Sequence, residues 1–151
     1  MTLDVEIEDD RWVAALPDCE AVVRQAALTA AEGQGGVTIL LTDDEAVADL
    51  NSRFRDRPGP TNVLSFPAAP NRECHLGDIA LALGVCTTEA TAQGKTLANH
   101  LRHLVIHGVL HLLGYDHQSE ADAERMETVE RRLLAGLGTP DPYAEDVDAR
   151  R

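Results

Sequence analysis

His107-Gly108-Val109-Leu110-His111-Leu112-Leu113-Gly114-Tyr115-Asp116-His117 is the stretch around which the rest of the chain reads as organised. Residues four apart on a helix stand one turn above each other, so His107 and His111 can aim their imidazoles at a common point. Gly114 can take the left-handed conformation that ends a helix, and the chain turning back there can return His117 to the same point. Three imidazoles suit zinc, and three protein ligands leave the fourth tetrahedral position open, as in a catalytic rather than a structural ion. Leu101, Leu104, Val105, Ile106, Leu110 and Leu112 make the helix from about Leu97 to Leu113 apolar on most faces, which is the pattern of a central buried helix.

Outward from this helix, periodicity supplies the remaining elements. Leu3 to Ile7 alternates apolar and acidic residues as a half-exposed strand does. Cys19, Val22, Val23, Ala26, Ala27 and Ala30 recur at helical spacing up to Gly33, and Val37 to Leu41 is a short β-branched run that reads as a buried strand. Thr42-Asp43-Asp44-Glu45 reads as a capping box, with Thr42 and Glu45 satisfying each other's backbone donors ahead of a helix whose buried face carries Val47, Leu50 and Phe54. Pro58-Gly59-Pro60 interrupts regular structure. Val63 to Phe66 and the alternating Ile79, Leu81 and Leu83 are two further strands, and Gly84 to Gly94 a third helix. Ser119-Glu120 opens a last helix with Met126, Val129, Leu133 and Leu137 on one face. The expected fold is α+β: a single domain over residues 1–143, with a small mixed sheet of about four strands packed against about five helices. The zinc site falls on the central helix and the following loop, and the acidic tail 144–151 is expected to fray.

A chain of 151 residues, 44% hydrophobic and 26% charged, can bury a core without disulfides. Cys19, Cys74 and Cys86 lie in separate segments, as expected in a reducing compartment. The first residues show no basic patch followed by an apolar run, and the longest apolar run, Leu104 to Leu113, is too short to cross a bilayer. A cytoplasmic location without a membrane partner is therefore expected. The net charge of −13 argues against DNA and against non-specific nucleic-acid binding, and an aromatic share of 3% argues against base stacking on aromatic platforms. Between Asn51 and Leu110, however, six basic residues face four acids, and a divalent ion there would add two positive charges, so a local anion site fits an acidic protein.

The histidine spacing matches that of metzincin-type zinc peptidases, His-Glu-x-x-His-x-x-Gly-x-x-His, at every ligand and at the glycine. Gly108 stands where those enzymes carry the glutamate general base, which weakens a peptidase or amidase reading. His100 and His103 lie on the approach to His107 and read either as partners that orient a ligand or as core histidines. Asp78 and Asp116 are candidate orienting carboxylates or proton acceptors. On spacing alone, Arg55 reads as a solvated helix end.

Three pieces together carry a family resemblance: Leu50-Asn51 with Phe54-Arg55, then Pro60-Thr61-Asn62-Val63-Leu64-Ser65-Phe66-Pro67, then the histidine stretch ending Leu112-Leu113-Gly114-Tyr115-Asp116-His117. The chain resembles the YbeY family of single-strand-specific endoribonucleases of ribosomal RNA maturation, from about Leu50 to Tyr143, with Gly77-Asp78-Ile79, Gln93-Gly94-Lys95 and Asp141-Pro142-Tyr143 also in place. The resemblance implies zinc on His107, His111 and His117, one ion per chain, and an essential arginine at Arg55. It further implies single-stranded ribosomal RNA as substrate, a role in rRNA maturation and ribosome quality control, and the ribosome or its small subunit as partner. Pro58-Gly59 replaces the Asp-Lys pair usual in the family, so the loop after Arg55 has its own composition. A zinc peptidase or amidase and a non-catalytic zinc-stabilised ribosome-binding module are the competing readings.

Overall fold

A computed structural model describes residues 2–55, 59, 61–116 and 118–143, with the side chain of Arg55 outside the described set. Four strands, β1 (Leu3–Ile7), β2 (Gly36–Thr42), β3 (Val63–Pro67) and β4 (His75–Ala82), form one sheet in the order β1-β2-β4-β3. β1 and β2 pair in parallel, as do β2 and β4, while β3 runs antiparallel to β4 at the edge. The helices are α1 (Arg11–Ala15), α2 (Cys19–Ala31), α3 (Asp44–Arg55), α4 (Leu83–Ala92), α5 (Leu97–Leu112) and α6 (Glu120–Gly136). The domain is α+β with a mixed sheet, as the sequence pattern implies.

Strand alternation divides the core between two faces. Ile39, Leu41, Ile79 and Leu81 point into the main core against α2 and α5, whereas Leu64, Ala80 and Ala82 pack with Val47 of α3 on the opposite face. α5 lies against the sheet through Leu101, Val105, Ile106, Val109 and Leu110, all at most 2% exposed. Each such side chain contributes roughly 1.5–3 kcal/mol relative to an exposed one. Thr96 starts α5 by accepting the Asn99 amide at 3.1 Å. A Schellman pair ends it: Gly114 N–H donates to His111 O at 3.1 Å and Tyr115 N–H to Leu110 O at 3.0 Å. Gly114 takes φ +102° to do so, reversing the chain directly after the second histidine. His117 itself lies outside the described residues.

Four details depart from the sequence reading. α1, a sixth and very short helix, escapes periodicity because it is only five residues long; it is anchored by buried Trp12, whose Nε1 donates to Thr42 O at 2.9 Å. α3 is capped by Asp43, whose Oδ1 accepts the Ala46 amide at 2.7 Å, rather than by Thr42, which is still the last residue of β2. Leu83 opens α4 instead of closing β4. Phe54 is 66% exposed rather than on the buried face of α3, and meets the Phe66 ring edge-on at 5.9 Å.

The carboxylate next to the α3 cap does a second job. Asp44 Oδ1 accepts the Val85 amide at 3.1 Å, capping α4 from another helix because Ala82 at its own N-cap has no side-chain acceptor. Gly84 makes room for this contact, since a Cβ there would collide with the Asp44 carboxylate. Asp44→Ala is expected to cost about 1 kcal/mol. Gly84→Ala should cost measurably more in the wild type than in the Asp44→Ala background, and urea denaturation of the four proteins of this cycle reads that coupling.

Candidate metal centre and active-site cleft

His103, His107 and His111 fall on one stripe of α5, and their rings follow one another at centroid distances of 6.1 Å and 4.6 Å. What orders them comes from α6. Glu130, 1% exposed, accepts from His103 Nε2 at 2.5 Å and from His107 Nδ1 at 3.3 Å. A carboxylate can only accept, so the His107 proton sits on Nδ1 and its Nε2 lone pair points away from α6. That lone pair faces His111 Nε2 at 3.1 Å. Tyr143, from the segment after α6, donates its hydroxyl to Glu130 Oε2 at 3.0 Å and sets its ring 5.5 Å from that of His103.

Burial pushes the Glu130 carboxyl up, but hydrogen bonds from His103 and His107 outweigh it and hold the group at about 2. Burial, followed by the Glu130 charge, pushes the Tyr143 hydroxyl well above its ordinary value, so it remains a donor. Cys86 is pushed up to about 12 by burial, and Cys19 is also raised by burial. Both thiols are buried core residues rather than nucleophiles.

Two donor sets deserve comparison. Among the described residues, ligand atoms of His103, His107 and Glu130 lie within 4.8 Å of one another and could hold a metal. The facing Nε2 atoms of His107 and His111 form the other set. Two nitrogens bound at about 2.0–2.1 Å to a tetrahedral zinc stand roughly 3.3 Å apart, close to the separation present here. These residues therefore fit a divalent ion without rearrangement of the helix.

The histidines form one wall of an open cleft of about 440 Å³. Edge strand β3 forms the facing wall with Asn62, Val63, Ser65 and Pro67. Ser65 Oγ donates to the Gly108 carbonyl at 3.2 Å, and a Cβ at Gly108 would lie 3.0 Å from Ile79 Cδ1 and 3.2 Å from Ser65 Oγ. A side chain at position 108 would thus be crowded against Ile79 and against Ser65 of the cleft wall.

Asp78 is exposed and paired with His75 at 3.0 Å, and Asp116 accepts the Gln118 amide at 3.4 Å; the carboxylate on the histidine stripe is Glu130. Sequence spacing carried one sign of it: Glu130 falls four residues after Met126 and three before Leu133, inside the apolar stripe of α6, where a lone acid needs a partner. His100 turns to α4 instead, its Nε2 2.9 Å from Glu89 Oε1. Arg55 is the last residue of α3.

The profile of the family described as Endoribonuclease YbeY matches residues 4–138. The chain belongs to the YbeY family. It is 49% identical to the endoribonuclease YbeY of Maricaulis maris over 149 residues, covering 95% of this chain and 92% of that protein. It is 47% identical to the endoribonuclease YbeY of Azorhizobium caulinodans, covering 95% and 97%. The fold is also that of a Thermotoga maritima protein solved in solution, with a TM-score of 0.56 at 23% identity over 89% of this chain and 91% of that one. Among the described residues, no helix of this YbeY chain is long and apolar enough to cross a membrane.

Two outcomes follow for this site. With the folded Glu130 carboxyl at about 2 against an ordinary 4.5, its stabilisation is complete above the ordinary value and is lost as pH falls from there through about 2. In metal-free protein, Glu130→Gln should lower stability at pH 7 by about 3 kcal/mol and flatten acid unfolding between pH 4.5 and 2, followed by circular dichroism. Gly108→Glu should destabilise the fold by more than about 3 kcal/mol by wedging a charge between α5 and the sheet. A casein assay on that variant should register no gain of peptidase activity.

Proposed function

We propose that this protein is a metal-dependent endoribonuclease that cuts single-stranded RNA, with ribosomal RNA as the substrate and the ribosome or its small subunit as the docking partner. The observation that carries the proposal is the His107–His111 pair, Nε2 to Nε2 at 3.1 Å on the wall of an open cleft, in a chain of the YbeY family. His107, His111 and His117 are proposed as the ligands of one zinc ion, the identity favoured by imidazole donors. Glu130 is proposed to orient His107: its carboxylate accepts from His103 and His107, and such a partner fixes ring tautomer and direction.

A divalent ion held there would supply Lewis-acid polarisation of a phosphoryl oxygen and would lower the pKa of water toward neutrality. Arg55 is proposed to neutralise charge developing on the phosphorus centre, since a guanidinium matches two phosphate oxygens at once. The facing wall of β3 narrows the cleft, which favours a flexible strand over a rigid duplex. Because the chain carries −13 net charge, few phosphates can be neutralised together, and docking on the ribosome would raise the effective RNA concentration.

The test is cleavage of matched single-stranded and duplex RNA by zinc-loaded protein, with metal content measured alongside. His107→Ala, His111→Ala and His117→Ala should each lose metal and cleavage together. Arg55→Lys should keep the metal yet lose at least about tenfold in rate, because an ammonium cannot make the planar two-point contact. Stoichiometric zinc in all three histidine variants, or full activity in Arg55→Ala, would overturn the assigned roles.

A further inference from the structure

The histidine cleft does not end at Tyr143. A second chamber, also of about 440 Å³, opens beyond it and shares Asn62, His103, Leu104 and Tyr143 with the first. Its far wall is built from α4 and the turn that follows, with Glu89, Gln93 and Lys95. Both volumes fall within the range of about 300–1,000 Å³ typical of small-ligand sites.

The polar groups of this chamber are arranged rather than scattered. Glu89 Oε1 accepts from Asn62 Nδ2 at 2.9 Å and pairs with His100 Nε2 at 2.9 Å. His100 is 3% exposed, so the Glu89 carboxylate is clamped from the core side by one buried group. Burial, partly offset by Glu89, lowers the His100 pKa. Glu89 Oε2 has no hydrogen-bond partner among the described residues, and the side chain remains 33% exposed. Gln93, the C-cap of α4, follows four residues later and lines the same chamber. Lys95, the one lysine of the chain, holds its ammonium 3.2 Å from Pro142 O at the chamber margin.

A fixed carboxylate with one oxygen open, a carboxamide beside it and a cation at the margin offer complementary contacts to a nucleotide. We infer that this chamber is a nucleobase subsite that selects guanine in the strand next to the cut. Guanine presents adjacent N1–H and N2–H donors, which converge on the one open oxygen, Glu89 Oε2. Gln93 would donate to guanine O6, and Lys95 would meet the neighbouring phosphate. Uracil, whose single N–H lies between two carbonyls, is repelled by the same carboxylate. The inference rests on the RNA-cleaving reading of the adjacent cleft.

Binding and cleavage test it separately. Guanosine and uridine 5′-monophosphates are titrated into zinc-loaded full-length protein while amide NMR signals are followed, and RNA decamers with one guanosine at varied positions are then cut. Guanosine monophosphate should shift the Gln93, Gly94 and Lys95 amides and bind about tenfold more tightly than the uridine compound. Glu89→Gln should reduce that preference to about twofold. Gln93→Ala, at an exposed position, should weaken it without lowering the melting temperature. In the decamers, cleavage should occur at one fixed offset from the guanosine. Equal binding of both nucleotides, or shifts confined to the histidine cleft, would overturn the subsite even if RNA is cut. Selective guanosine binding with no RNA cleavage would support the subsite and overturn the reaction assigned to the cleft.

Discussion

One buried carboxylate organises the centre of this protein. Glu130 sits in the apolar stripe of α6 at 1% exposure, where an unpaired charge would cost several kcal/mol. Two imidazoles and a phenol offset that cost, and in doing so they are ordered themselves. Because the carboxylate accepts the Nδ1–H of His107, the opposite nitrogen is presented to the cleft. Orientation of His107 is thus a by-product of burying an acid, and the packing of α5 on α6 is inseparable from the chemistry it supports.

The second constraint is the closeness of α5 to the sheet. Glycine in a helix interior costs roughly 1 kcal/mol relative to alanine, yet Gly108 lets the helix settle against Ile79 and Ser65. The same approach places the histidine stripe opposite the edge strand β3, so a cleft forms between helix and strand rather than a flat surface. Tyr143 then reaches back from the C-terminal side and partitions this cleft from the chamber behind it. Core packing and wall spacing are set by one helix, and the partition by the segment that follows α6.

Legibility in the sequence followed the range of the interactions involved. The α5 stripe, the reversal at Gly114 and the four strands rest on local periodicity and turn chemistry, and all were readable from the residues. The Asp44 cap on α4, Trp12 beneath β2 and Tyr143 on Glu130 join residues far apart in the chain, so no spacing rule announces them. Phe54 fits the apolar periodicity of α3 but lies near its end, 66% exposed, where its ring meets Phe66 edge-on. Glu130 was half visible, as an acid out of place in an apolar stripe, and its partners could be named only once α5 and α6 were packed together. The roles implied by family resemblance for Arg55 and His117 concern side chains outside the described residues.

Gly108 also bears on how such a protein can change over generations. A single-nucleotide change converts a GGA or GGG glycine codon to glutamate, and on paper this completes a peptidase signature around the same histidines. In this fold that step leads downhill in stability before any new chemistry exists, because the altered side chain is crowded against Ile79 and Ser65. Sequence distance and structural distance between the two hydrolase types are therefore very different quantities. The shared histidine spacing reflects what a helix can offer a metal, and the adjoining position reports which surface that helix was built to lie upon.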